Sequence, residues 1–351
     1  MATASADAGF WPAVAAAEPL SPEQARLYRP AVARLAAATS PALADWLLGR
    51  PSDDRGPLIA PEEVRRSRLL NRFTRAQGVR WLGVLTEAGI EVVCLKGMAA
   101  CCTIYPDPDL RGMSDVDLLV RGRDIQRLVT VLAARGFVFK KAQGTPRWGL
   151  IGDASFHPFV APDGAFSIDL HVEPDDYPLH RGLSTEAVFA HAHTAYVDGL
   201  PIRVPSGPHF LLLALANAAR DKLGPEAVKS VVDAVVYLAR TGRSPDWDAI
   251  LAAARRGGFL CTVRAMAVFL ERLGVPRARL PQDAFTEPRG LARKELARAV
   301  ADFAALFPTE PDKLALQRRE IFLLAPSRVV LRRYGRRLLG LIRPWPGIPD
   351  S

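Results

Sequence analysis

The segment Asp115-Val116-Asp117-Leu118-Leu119-Val120 constrains the chain more than any other. Its β-branched and apolar residues read as a strand, and side chains along a strand alternate between faces. Asp115 and Asp117 therefore project from one face, while Val116 and Leu118 project from the opposite, buried one. The rise of a strand sets the two carboxylates roughly 6 to 7 Å apart. Like charges so placed raise each other's pKa, which makes the pair costly unless cations neutralise it. A later segment, Ser167-Ile168-Asp169-Leu170-His171, repeats the pattern, with Ser167, Asp169 and His171 on one face and Ile168, Leu170 and Val172 on the other. If the two strands are neighbours in one sheet, three carboxylates converge on one patch.

Three converging carboxylates form a set of hard oxygen ligands. Mg²⁺, with Mn²⁺ as a substitute, prefers such ligands and completes its octahedron with waters and substrate phosphates. Two ions about 3.5 to 4 Å apart would activate an attacking hydroxyl and stabilise a leaving pyrophosphate. On this reading Asp115, Asp117 and Asp169 are both metal ligands and catalytic residues: the first two bridge the metals, and Asp169 lies nearer the acceptor hydroxyl and assists its deprotonation. A nucleoside triphosphate (NTP) substrate also needs a cradle. Residues 92–95 form a short apolar strand ending in Lys96-Gly97, where glycine permits close backbone approach and a following helix offers free amides. Lys96, Gly97, Arg111, Ser114 and His171 are the candidate nucleotide contacts. Each has a plainer alternative: Lys96 as a surface lysine, Arg111 paired with Asp107 or Asp109, and His171 as a hydrogen-bonded structural histidine. An isolated Asp-x-Asp is weak evidence, and the weight lies in the combination.

Around these motifs the chain reads as α+β. Ser21 before Pro22-Glu23-Gln24 and Pro61-Glu62-Glu63 are helix start signals, separated by a Gly- and Pro-rich linker. Strands are expected at 115–120, 137–140, 155–160 and 166–172, the last two joined by the turn Pro162-Asp163-Gly164, with a weaker hairpin around Asp198-Gly199. After Ser206 helical periodicity dominates, near 209–223, 225–240, 247–256 and 259–273, as in a bundle. The expected organisation is an N-terminal helical segment (1–73), a small mixed β-sheet core flanked by helices (74–205) and a C-terminal helical domain (206–351). Hydrophobic residues at 49% and charged residues at 24% exclude a disordered chain.

Several function classes drop out. Cys94, Cys101, Cys102 and Cys261 lack zinc spacing and read as reduced core thiols. No Gly-x-Ser-x-Gly elbow, Rossmann fingerprint or Walker loop is present. The N-terminus carries no basic leader, and no apolar run reaches the roughly 18 to 20 residues that span a bilayer, so a cytoplasmic setting is expected. A net charge of +9 permits an anionic partner without demanding one. No aromatic-interleaved basic motif marks a nucleic-acid binder. The basic, apolar stretch 329–343 reads as a packed helix with a solvated basic face, the alternative being a membrane surface. His157, His191, His193 and Glu173 are assigned no chemistry. Asp233, among Val232, Val235 and Val236, reads as a helix-face carboxylate, the alternative being a contact with the catalytic core.

Together, Leu95-Lys96-Gly97, Tyr105, Arg111-Gly112-Met113-Ser114-Asp115-Val116-Asp117-Leu118-Leu119-Val120 and Ile168-Asp169-Leu170-His171 resemble the bacterial uncharacterised nucleotidyltransferase family of the polymerase-beta-like superfamily. The resemblance covers residues 74–237. It implies a small mixed sheet flanked by helices, metal ligands at Asp115, Asp117 and Asp169, and transfer of a nucleoside monophosphate from an NTP such as ATP. The acceptor would be a hydroxyl or phosphate of a small molecule, peptide or protein. The wider superfamily usually carries Gly-Ser after its first strand and a shorter gap before the aspartates. This chain has Gly97-Met98 and inserts Tyr105-Pro106-Asp107-Pro108-Asp109, so the usual serine's phosphate contacts have no counterpart to carry over. The competing readings are an Asp-x-Asp glycosyltransferase, which gives Asp169 no task, and a silent nucleotide- or partner-binding module.

Overall fold

Ser21 starts a helix as its surroundings predict. The computed structural model describes residues 9–16, 18–139, 150–151, 155–156, 158–176, 178–240, 245–282, 285–326, 329–331 and 335. After α1 (Phe10–Ala16), the Ser21 hydroxyl accepts the Gln24 amide at 3.2 Å while the Gln24 side chain accepts the Ser21 amide at 2.9 Å. This reciprocal box satisfies two otherwise orphaned donors at the start of α2 (Pro22–Ala38). At α3 (Pro41–Leu47) the Ser40 hydroxyl caps one way only, accepting the Leu43 amide at 3.1 Å. The Gly- and Pro-rich linker folds into a small ladder of β1 (Ser52–Asp53) and β2 (Gly56–Pro57) before Pro61 opens α4 (Pro61–Glu87). Asn71, Arg75, Gly78, Trp81, Leu82 and Leu85 form the buried stripe of α4, at the three- and four-residue spacing of one helix face.

The sheet follows. In chain order its parts are β3 (Val92–Cys94), α5 (Lys96–Thr103), β4 (Val116–Val120), α6 (Ile125–Ala133), β5 (Val138–Phe139), β6 (Leu150–Ile151), β7 (Ser155–Phe156), β8 (Phe159–Val160) and β9 (Ser167–His171). The strands run in the order β3-β4-β9-β7-β6, with β8 also paired to β9 and β5 to β8. β4 is central, antiparallel to β3 and parallel to β9, and all five of its residues are buried. Coverage of both faces accounts for the run Val116-Asp117-Leu118-Leu119-Val120, in which one acid interrupts an otherwise apolar strand. The β8–β9 hairpin forms as expected, Val160 facing Ser167 and Gly164 turning at φ 68°. The predicted strand near 137–140 extends to Phe139, and Lys140 and His157 lie outside the described residues.

Past α7 (Leu179–Gly182) and α8 (Thr185–His191), β10 (His193–Val197) and β11 (Leu200–Val204) form a separate hairpin. Its two-residue turn holds Asp198 and Gly199 at φ 49° and 80°, the left-handed pair that a type I′ turn requires. The rest is helical: α9 (Gly207–Arg220), α10 (Val228–Arg240), α11 (Trp247–Gly257), α12 (Leu260–Arg272), α13 (Gly290–Ala304) and α14 (Lys313–Arg319). α9 packs on α10 and also reaches α5, which brings the helical half over the end of the first sheet strand. The fold is α+β. One hydrophobic core runs from Phe10 to Leu324, and the Trp11 indole N–H donates to the Phe303 carbonyl of α13. Most of the basic stretch 329–343 lies outside the described residues. Among those described, no helix is long and apolar enough to cross a membrane.

Candidate active site

Parallel pairing of β4 with β9 sets Asp117 directly beside Asp169 in register. Neighbouring residues at one register position point to the same face, with strands about 4.8 Å apart. Asp115, two residues earlier, completes the acidic patch, so the chain brings together the three predicted carboxylates. Their environments differ. Burial pushes Asp117 up, but the Lys96 ammonium and His171 outweigh it and hold its carboxyl well below the usual carboxylate range. Burial and the Asp117 charge raise Asp115. Burial, with the charges of Asp117 and Asp115 added, pushes Asp169 to about 7, and its Oδ1 is buried with no hydrogen-bond partner.

Sheet geometry also delivers the cation. The Leu95 amide donates to the Asp117 carbonyl at 2.9 Å, continuing the β3–β4 pairing by one step. The next residue, Lys96, turns at φ 43° into α5, and its ammonium meets Asp117 Oδ1. A non-glycine residue in that region carries roughly 1 kcal/mol or more of backbone strain. The surface-lysine alternative is thereby excluded. His171 Nε2 lies 2.8 Å from the same Oδ1, and its Nδ1 has no partner among the described residues. Both contacts are made to Oδ1, so neither takes Asp117 Oδ2.

The remaining candidates separate. Ser114 is exposed, its hydroxyl 3.3 Å from Asp115 Oδ1. Gly97 lines the cleft, and a Cβ there would sit 2.7 Å from Met113 Cγ, so the methionine packs closely on this glycine. The first turn of α5 nevertheless carries no side-chain cap. Arg111 also lines the cleft, and the plainer alternative offered for it is corrected. It pairs with neither Asp107 nor Asp109 but lies buried against Asp233 of α10, both nitrogens of the fork at 2.9 Å, with the Tyr105 hydroxyl donating to the same carboxylate at 2.7 Å. Asp233 is thus a core contact and not a helix-face acid. Asp107 and Asp109 are held instead by Arg68, Arg72 and Arg75 of α4.

The acidic patch opens into a cleft of about 200 Å³ between the sheet end and α9–α10. Lys96, Met113, Ser114, Asp115 and Asp117 line one wall, and Phe210, Leu213, Asn217, Arg220, Asp221 and Lys229 line the other; Asp169 is not among the lining residues. Sequence reading missed that second wall. Its signal was present as Asn217, Arg220 and Asp221 breaking an apolar helix at three- and four-residue spacing, a pattern that a solvated face produces equally well. Arg220 pairs with buried Asp175.

Over residues 60–274 the sequence matches the model of a family described as uncharacterised nucleotidyltransferase. The chain belongs to this nucleotidyltransferase family. The match is wider than the motif-based span of 74–237 and takes in all of α4, β3 to β11 and α9 to α12. Among solved structures, the chain is similar to the crystal structure of an antigenic nucleotidyltransferase-like protein from Paracoccidioides brasiliensis, with 14% identity and a TM-score of 0.34, covering 59% of this chain and 92% of that one. No curated protein matches the sequence. For a nucleotidyltransferase the fit of a divalent ion is a question of donors. The acids are hard oxygen ligands of the class Mg²⁺ takes, Asp169 Oδ1 has no partner among the described residues, and Lys96 sets an ammonium on Asp117. As the side chains stand, no three His, Cys, Asp or Glu among the described residues are drawn together into a preformed chelate. Lys96 takes up the negative charge of Asp117 in this arrangement.

Proposed function

We propose that the protein is a nucleotidyltransferase enzyme that moves a nucleoside monophosphate from an NTP to a hydroxyl or phosphate of a small-molecule, peptide or protein acceptor. The observation that carries the reading is the Asp117–Asp169 register. It gives two carboxylates on adjacent parallel strands opposite protonation tendencies within one patch. A glycosyltransferase that uses Asp-x-Asp alone gives Asp169 no task.

In this reading Asp115, Asp117 and Asp169 hold Mg²⁺ or Mn²⁺, which when bound supplies Lewis-acid charge to the triphosphate and to the pyrophosphate that leaves. His171 holds Asp117 in one orientation, and Lys96 balances its charge until substrate arrives. Asp169, on the strand beside Asp117, lies nearer the acceptor hydroxyl and assists its deprotonation. The hydroxyl oxygen bonds to the α-phosphorus as the bond to the β-phosphate bridging oxygen breaks, and the proton leaves toward Asp169. Lys96 and Arg220, on opposite cleft walls, face the phosphates. The test is to incubate the protein with each radiolabelled NTP and Mg²⁺, measuring pyrophosphate release, self-labelling and equilibrium NTP binding, with Asp117→Asn as the control. Metal-dependent binding or turnover that Asp117→Asn loses is the expected result. No metal-dependent difference between the two proteins overturns the reading.

A further inference from the structure

The cleft wall built by α9 changes character along its length. Phe210, Leu213 and Ala214 are followed on the same helix face by Asn217, Arg220 and Asp221, and Pro205 closes the apolar end. Asn217 stands at the boundary. Its backbone is buried in α9, it lines the cleft, and its carboxamide, which makes no side-chain hydrogen bond among the described residues, is open to the cleft rather than sealed in the core. Asn71, the comparable buried asparagine on α4, donates to the carbonyls of Asp109 and Leu110 at 2.7 and 3.3 Å. A carboxamide that faces a cleft without a protein partner has both its donor and its acceptor available to whatever enters.

We propose that Asn217 reads the hydrogen-bonding edge of the nucleobase and so sets which nucleoside triphosphate the cleft accepts. This rests on the nucleotidyl-transfer reading above. A nucleobase is a planar heterocycle with apolar faces and a rim of adjacent donors and acceptors. The apolar slot of Pro205, Phe210, Leu213 and Ala214 suits the faces, and the side-by-side carbonyl and amino group of a carboxamide suit the rim. The other end of the same wall suits the phosphates. Arg220 lies one turn beyond Asn217 and lines the same cleft as Lys96, so two cations face it there. Base and triphosphate would thus lie along one helix, with the amide between the apolar and charged sections.

The experiment is equilibrium binding of the four NTPs with Mg²⁺ to wild type, Asn217→Ala and Asn217→Asp, each checked for a native melting transition. Wild type is expected to rank the four, and Asn217→Ala to lose roughly tenfold for the favoured one and flatten the ranking. A carboxylate only accepts, so Asn217→Asp should raise GTP, whose base presents two adjacent donors, by about tenfold relative to the others. Equal binding of all four by wild type, or an unchanged ranking in both variants, overturns the assignment of Asn217 while leaving nucleotidyl transfer intact. A wild type that binds no NTP in the presence of Mg²⁺ overturns both.

Discussion

Two titratable side chains of the acidic patch, Asp169 and Lys96, each yield a measurable consequence. The folded-state pKa of Asp169, about 7, stands above the ordinary 3.8, so the folded chain holds an extra proton between those values and loses stability as pH rises through that window. Asp169→Asn removes the charge. It should melt above wild type at pH 8 by about 2 °C or more, with the gap closing as pH falls toward about 4. Mg²⁺ at pH 8 should raise the melting temperature of wild type and leave that of Asp169→Asn unmoved. Coincident melting curves at both pH values would remove the basis for giving Asp169 a distinct role. Lys96 is the second test. Lys96→Met takes the ammonium from buried Asp117 and is expected to lower metal-dependent pyrophosphate release by at least about tenfold, since a fixed charge in a dehydrated site is worth far more than one in water. Retained turnover would mean that the ammonium serves the fold alone. The alternation of acids with apolar residues was legible from the chain. The Lys96 contact was not, because it depends on pairing between β3 and β4.

Among elements, the informative unit is the connection between α5 and β4, where the chain inserts Pro106-Asp107-Pro108-Asp109 ahead of the acidic pair. The insertion is fastened on every side. Arg72 and Arg75 of α4 grip the Asp109 carboxylate, Asn71 takes its carbonyl, Ser40 donates to the Leu110 carbonyl at 2.8 Å, and Asp233 of α10 clasps Arg111 and Tyr105. A loop that delivers two mutually repelling acids is thereby prevented from relaxing. Removing one partner of a buried ion pair leaves an uncompensated charge, so Asp233→Ala should lose about 3 to 5 kcal/mol in urea unfolding. Tyr105→Phe should lose only about 1 kcal/mol, one neutral hydrogen bond. Equal, small losses in both would mean that water reaches Arg111 and that the clasp is weak. The helices on either side of this loop were readable from caps and periodicity. The clasp was not, because Asp233 sits at helical spacing among valines and the sequence does not say which face of α10 meets protein.

At the level of the whole molecule, the first helix and the late helices share one core. Trp11, 1% exposed, packs on Phe303 and hydrogen-bonds its carbonyl across almost the full length of the chain. Trp11→Ala should therefore cost about 3 to 5 kcal/mol and shift one cooperative transition that reports on the sheet as well as on the helices. A separate early transition for the N-terminal helices, with the main one unmoved, would show that they are an appendage. Read alone, the sequence determined the α+β character, the positions of the caps and turns, and the single face shared by Asp115 and Asp117, because these follow from local dihedral preference and the two-residue period of a strand. Tertiary structure decided the rest: that β9 lies parallel beside β4 with Asp169 against Asp117, that Arg111 pairs with Asp233, that Met113 packs on Gly97, and that α9 forms the second wall of the cleft. Those outcomes turn on strand order and helix orientation, which are set by how distant apolar faces find one another and leave no trace in local spacing.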